Sequence, residues 1–513
     1  MSSLRQRLFL LALPARLRGH SAGLPPMTLE RSAASTGRTA RRPERLLLFF
    51  FLLSLPFVNP WVRGDGVGYY AYARALLIQH NLDFTADYQH ANARFRELRL
   101  DANRRPLPDF RTSTGHLDNH FSIGPALLWA PALAATHAAV LLARALGSAV
   151  PADGFSLPYR LAMALTTAAL GFLALLLAFR IARNYVEERW ALLAALAVWG
   201  GTSLPVYMYF NPSWSHAQSA FAVALFFWYW LKTRLQRSVS RWLVLGALAG
   251  LMIDVYYVNA VLLAVLLPEL LQAYLAVFRA AAWRDLATLL AKEAVFAALI
   301  FICLLPTFAS HYVIYGSPFS SGYIPLHFWY WKSPYFAQVL FSSNHGLLSW
   351  TPLIALSFVG LLLFLKRHFA TGFPILLAVL LFYYIIASYP DWDGISSFGN
   401  RFFVSLTVFF VLGLAVLLEE AARKFRSRAF PLAAFSALLL CLLFWNFGLM
   451  FQWGAHLVPP RGPVSWSKVV RNQFFVLPRQ FSSNLSEYLF HRRRMMNGIE
   501  QRDAPERHPQ DQR

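Results

Sequence analysis

Apolar runs close to 20 residues long recur along the chain, separated by short polar stretches that carry much of its Arg and Lys. That is the length an α-helix needs to cross the hydrocarbon of a bilayer. The pattern predicts spans at residues 46 to 60, 160 to 180, 190 to 209, 216 to 231, 242 to 257, 259 to 278, 293 to 313, 346 to 365, 371 to 388, 402 to 418 and 430 to 451. It therefore predicts an all-α polytopic membrane protein with about eleven transmembrane helices. A basic tail over residues 1 to 44 comes before the bundle, with Met27 an alternative start, and a polar tail over residues 453 to 513 follows it.

Residues 124 to 147, GPALLWAPALAATHAAVLLARALG, are also apolar enough to cross. Parity decides otherwise. The basic loops at 180 to 189 and 232 to 241 should both face the cytoplasm, because short basic loops are retained inside. If 124 to 147 crossed, both would lie outside. The segment is therefore expected to lie in the interface, or to dip in and return, within a long first outer loop over residues 61 to 147. An amphipathic helix is expected in that loop over residues 67 to 79, with Tyr70, Ala73 and Leu77 on one side. The last span puts the C-terminal tail outside, on the side of the first outer loop.

Composition agrees with the pattern: 57% of the 513 residues are hydrophobic and 14% are charged, which leaves no soluble core of any size. A net charge of +22 would suggest nucleic acid in a soluble protein, but here the cations sit between apolar runs and report orientation and anionic lipid. Cys303 and Cys441 both fall inside apolar helices, so they read as packing residues, with no disulfide framework and no thiolate metal site. No internal repeat points to an inverted-repeat transporter.

The stretch WVRGDGVGYYAY, residues 61 to 72, sets an acid between glycines at the membrane surface, with tyrosines beside it. An acid held at the edge of a lipid-embedded region invites a functional reading, so Asp65 is the first candidate for chemistry. The plain reading is that GDG is a turn. Trp, Tyr, Pro, His and Asn crowd four loops assigned to the same side, at 61 to 72, 207 to 216, 315 to 345 and 389 to 401. An aromatic belt accounts for the rings. It accounts less well for Asp65, His216, Lys332, His345, Asp391, Asp393 and Arg401.

A first outer loop that opens with an acid and aromatics, GDGVGYYAYARALLIQHNLDFTADY, then an apolar segment introduced by Gly-Pro, resembles the membrane glycosyltransferases of the GT-C fold. These include the protein mannosyltransferases and the bacterial aminoarabinose transferases. The likeness covers residues 45 to 235 and the topology; beyond that it rests on YGSPFSSGY, HGLLSWTP and SFGNRFF. It implies a GT-C-like bundle in a bacterial cell membrane that moves a sugar, with inversion, from a polyprenyl-phosphate donor to a lipid, glycan or protein acceptor on the outer face. By resemblance Asp65 is the catalytic base. Donor-binding candidates are Tyr69, Tyr70, His216, Lys332, His345 and Arg401, with Arg401 the best phosphate partner because a guanidinium can bind two phosphate oxygens at once. No cofactor is implied, and a divalent metal has no support.

The chain also departs from that family. The mannosyltransferases pair two acids where Gly66 follows Asp65 here, the turn NPSWSHAQ carries no carboxylate, and the span ending DVYYVN lacks an expected Arg near Tyr256. Asp391-Trp392-Asp393 has the DxD form of soluble sugar-nucleotide enzymes without the α/β domain that form needs, and reads as a loop pair. The alternative functions are a transporter or lipid flippase, for which Asp254 is the one acid well inside an apolar region, and a catalytically silent scaffold.

Overall fold

A computed structural model describes residues 42 to 234, 237 to 425 and 429 to 503. Over these residues the chain is helical, with three isolated β-bridges and no extended sheet. Its long helices are α1 (Arg42–Ser54), α2 (Asp65–Arg74), α3 (Gly124–Ala145), α4 (Leu157–Ala182), α5 (Glu188–Gly201), α6 (His216–Thr233), α7 (Val239–Val255), α8 (Leu267–Arg279), α9 (Trp283–Tyr315), α10 (Leu353–Arg367), α11 (Phe369–Ser388), α12 (Thr407–Lys424) and α13 (Ala429–Gly454). Helices α14 (Trp466–Arg471), α15 (Leu477–Phe490) and α16 (Arg492–Asp503) follow. Among the described residues seven segments are long and apolar enough to cross a membrane: α3, α4, α8 with its 3-10 lead-in from Tyr257, α9, α11, α12 with its lead-in from Arg401, and Ala433–Gly454 of α13.

The pattern located helices well, and where it erred the backbone shows why. The expected span at 190 to 209 is broken: α5 stops at Gly201 and a π-turn covers Val206–Phe210, with Pro205 between them. Likewise Pro352 holds α10 back to Leu353. The helix expected at 67 to 79 begins at Asp65 and is buried on every side from Gly66 to Arg74, so it is not amphipathic. Helix α9 has 33 residues, about 50 Å at the usual rise, and starts ten residues before its expected span. Cys303 packs near Gly250, as a packing residue should, whereas Cys441 is exposed. The basic-tail expectation for residues 1 to 41 falls outside the described residues.

Helices meet at small residues, as they do where lipid removes the hydrophobic drive for helices to associate. A Cβ on Gly360 of α10 would lie 1.7 Å from the carbonyl oxygen of Gly413 in α12. Gly246 and Gly250, one turn apart on α7, admit the backbone of α9 in the same way. Either pair would be forced apart by one methyl group.

The bundle has two chemically different ends. At one, Glu44 of α1 pairs with Arg180 and Arg183, Arg183 pairs with Glu188, and Arg367 pairs with Glu419 and Glu420. Arg234 and Arg237 share Glu269. The basic loops at 180 to 189, 232 to 241 and 366 to 368 gather there. At the other end lie the loops that carry Asp65, Trp214, Tyr256, Tyr315 and Arg401. Helix α3 packs along α4. The Trp129 indole Nε1 donates to Thr167 at 2.8 Å, and His137 bonds Tyr159 at 2.7 Å, so α3 runs antiparallel to the first half of α4. Its start lies against the backbone of Asp254 and Val255, and the loop after it returns to Gly154, which accepts from Tyr70 at 2.6 Å. Both ends of α3 therefore meet elements of the Asp65 end.

Candidate functional site

The glycines of GDGVG do more than make a turn. Gly64 takes φ +53°, a region closed to most side chains, and a Cβ there would come within 2.9 Å of the Trp214 ring. A Cβ on Gly66 would sit 1.9 Å from Ser213 Oγ, and one on Gly68 would sit 2.0 Å from the Phe121 ring. Three glycines at alternate positions thus let the start of α2 press its backbone against two other loops. This also explains the missing second acid: position 66 has no room for a side chain. Trp214 Nε1 donates to Arg63 O at 2.8 Å, and Asn92 Oδ1 accepts from Gly64 N at 2.9 Å, so the turn is held on both flanks. Asp65 follows as the first residue of α2, where the helix dipole favours a carboxylate.

Arg401 meets it there. The residue opens the 3-10 turn Arg401–Leu406, and its Nη1 donates to Asp65 Oδ2 across 336 residues of sequence. The guanidinium carbon lies 4.5 Å from the centroid of Trp214 and 5.6 Å from that of Phe402. Its Nε is buried with no partner. A guanidinium has five N–H donors, and Asp65 takes one of them. The Arg401 side chain is 11% exposed and that of Asp65 31%, so the carboxylate is the half of the pair that solvent reaches.

Around the pair stand Tyr69, His216, Tyr256 and Tyr207. Ser215 Oγ donates to the Tyr69 oxygen at 3.0 Å, and burial, with the Asp65 charge adding to it, keeps that phenol from ionising. The His216 ring lies 4.7 Å from Tyr207, 5.6 Å from Tyr256 and 6.1 Å from Trp214, and its Nδ1 is buried without a partner. Burial, then the charge of Asp391, pushes the Tyr389 phenol up to about 12; Arg401 and Asp65 also act on it. Four of the expected site residues, Asp65, Tyr69, His216 and Arg401, therefore share one place.

Three do not join them. Tyr70 points to Gly154 and packs edge-on to Trp129. Lys332 is exposed, with no hydrogen bond or ion pair. His345 is fully buried in a loop clasp: its Nδ1 bonds Asp393 O at 3.0 Å, and its ring lies edge-on to Trp350. Burial pushes its imidazole down to about 4. Asp393 is spent on Asn344 Nδ2 and Ile395 N, which makes it a turn residue. The companion Asp391 carboxyl is raised by burial and by the charge of Asp393. Among the described residues no three His, Cys, Asp or Glu side chains gather as a metal-binding group.

Sequence reasoning missed three contributors. Trp214 was taken for belt, although it seats both Gly64 and Arg401. Asp118, in the polar loop before α3, accepts from Tyr315 at 2.6 Å and pairs with His120 at 3.3 Å; burial opposes its charge, but these partners and Arg99 hold its carboxyl below the usual range. The third is α16. Its Asp503 pairs with Arg63 at 2.7 Å, and Glu500 lies 3.4 Å from the same guanidinium. Alternating Gly at 64, 66 and 68 was the visible signal for close packing; a contact 440 residues away in sequence had none.

No protein-family model matches this chain, and no curated protein matches it.

Proposed function

We propose that this protein is a GT-C-like transferase that moves a sugar from a polyprenyl-phosphate carrier to an acceptor hydroxyl or amine on the outer face of a cell membrane. The observation that supports it best is the Asp65–Arg401 pair: a base candidate and a phosphate-binding candidate, 336 residues apart in sequence, meet in one place. In this reading the pair is a resting state. The donor phosphate takes the guanidinium through its unused donors, and the carboxylate is released to accept the acceptor's proton. The acceptor heteroatom bonds to the anomeric carbon from the opposite face, the carbon–oxygen bond to phosphate breaks, and the carrier phosphate leaves with its charge against Arg401.

About eleven spans with the basic loops inside is the topology that goes with this. Supporting it are the gathering of those loops at one end, the return of α3 to the Asp65 end, and the contact of α16 with Arg63, which sets the C-terminal segment on the same side as Asp65. A transporter or flippase reading has one observation of its own. Asp254 is 1% exposed, accepts from Thr307 and leaves Oδ2 with no partner.

Replacing Asp65 by Asn keeps the shape and removes the proton acceptor. Asp65→Asn should insert and bind donor lipid close to wild type while transfer falls about a hundredfold or more. Asp83→Asn, at an exposed turn residue that caps Thr85, should leave transfer unchanged. Full transfer by Asp65→Asn would remove the base from this site.

A further inference from the structure

Helix α16 divides its charges by face. Met496, Ile499 and Glu500 are buried, and Glu500 and Asp503 turn toward Arg63. Arg493, Asn497 and Gln501, spaced four residues apart along one exposed face, line a cavity of about 690 Å³ together with residues 490 to 492, 494 and 498. No carboxylate is among the lining residues. Arg492 is spent: it donates to the carbonyls of Pro56, Val58 and Tyr488 and so ties the cavity to the segment that follows α1. Arg494 pairs with Glu487 at the rim. Arg493 is exposed and, among the described residues, makes no hydrogen bond or ion pair.

A cavity lined by Arg492, Arg493 and Arg494 with no carboxylate among its lining residues carries a positive potential that favours an anion. The setting says which anion. Phe490, in the lining itself, is 76% exposed, and Phe474 and Phe475 on the same arm are 57% and 64% exposed. Arginines alternating with exposed phenylalanines, carried by helices lying against the loop that follows α1, are the composition of a segment in the interface plane. We propose that this cavity binds the phosphodiester headgroup of an anionic glycerophospholipid. Arg493 holds the phosphate oxygens, Asn497 and Gln501 donate to the headgroup, and Phe490 lies along the acyl chains. This site is separate from the Asp65–Arg401 pair and does not depend on transferase activity.

The test uses the purified full-length protein in neutral detergent, titrated with phosphatidylglycerol or phosphatidylcholine and read by native mass spectrometry as lipid retained. Phosphatidylglycerol should be retained in preference, and Arg493→Glu should weaken that retention about tenfold or more, since charge-assisted hydrogen bonds to phosphate are lost and repulsion replaces them. Gln501→Glu, which puts a carboxylate on the same exposed face and leaves Arg493 in place, should act in the same direction. Both positions are exposed and unbonded, so the melting temperature should stay at the wild-type value. Equal retention of the two lipids, or unchanged retention in both variants, would overturn the site. Displacement of phosphatidylglycerol by an equal concentration of inorganic phosphate would overturn the lipid as its occupant.

Discussion

The two ends of the bundle use charge differently. At the basic end the pairs run from exposed, Arg189 with Glu187 at 69% and 60%, to buried, Arg237 with Glu269 at 6% and 17%. The exposed ones are each worth about 0 to 1 kcal/mol. At the Asp65 end Arg74 and Asp87 are buried on both sides, at 6% and 3%. Buried polar atoms without a hydrogen bond lie around the Asp65–Arg401 pair, among them His216 Nδ1, Arg401 Nε and Asn400 Oδ1. Leaving each such group unpaired costs about 1 to 3 kcal/mol. The lesson is to seek chemistry where polar groups are buried and incomplete, not where charges are most numerous.

The comparison breaks outright if the ends do not lie on opposite sides of the membrane. Cysteines at Asn103 and Lys332 should be labelled from outside and one at Ser240 from inside; labelling of positions 103 and 240 from one side would mean that α3 crosses.

If both ends do hold as described, the next effect in size is at Asp87. Its carboxyl is raised by burial in spite of Arg74, which donates to both of its oxygens at 2.7 and 2.6 Å. Asp87→Asn leaves Arg74 buried without a counter-charge and should cost about 3 to 5 kcal/mol, read as a lower melting temperature. A residue that reads in sequence as part of a loop is thus a poor inactive control for Asp65. Glu44→Gln at the basic end should change the same reading by less than about 1 kcal/mol.

His345 gives a pH signature to the Asp65 end. Folded, its pKa is about 4, against 6.5 for the free side chain, so between these values the unfolded chain binds a proton that the folded one does not. Its contribution is fully present above pH 6.5 and is lost as pH falls toward 4, by about 3 kcal/mol at most. Hydrogen exchange of residues 342 to 351 should show that slope, and His345→Asn should flatten it while tolerating the φ of +57°. A slope unchanged in the variant would assign it to another group.

The smallest effect expected is on ligand affinity. Arg401→Ala should weaken donor-lipid binding about tenfold or more, and Arg401→Lys should recover part of it, since an ammonium cannot bind two oxygens in one plane. Equal affinity in wild type and Arg401→Ala would make Arg401 an interfacial anchor seated on Trp214.

Helices were legible because apolar runs are local, and their ends were blurred where Pro205 and Pro352 break the backbone without breaking hydropathy. Asp65 and Arg401 were legible as isolated oddities. Their meeting was not, because no spacing rule links positions 336 residues apart. Lys332 and His345 drew attention by residue type, yet one turned out to be free at the surface and the other fixed inside a loop. Residue type alone does not say whether a side chain faces a cavity or a backbone carbonyl.

The grip of α16 on Arg63 bears on how the protein is made. Asp503 leaves the ribosome 440 residues after Arg63, long after the first helices have entered the bilayer. Until then the turn before Asp65 carries an unpaired guanidinium, and a chain halted before residue 500 keeps it so. Synthesis thus reaches the Asp65 end twice, and the second visit completes what the first began.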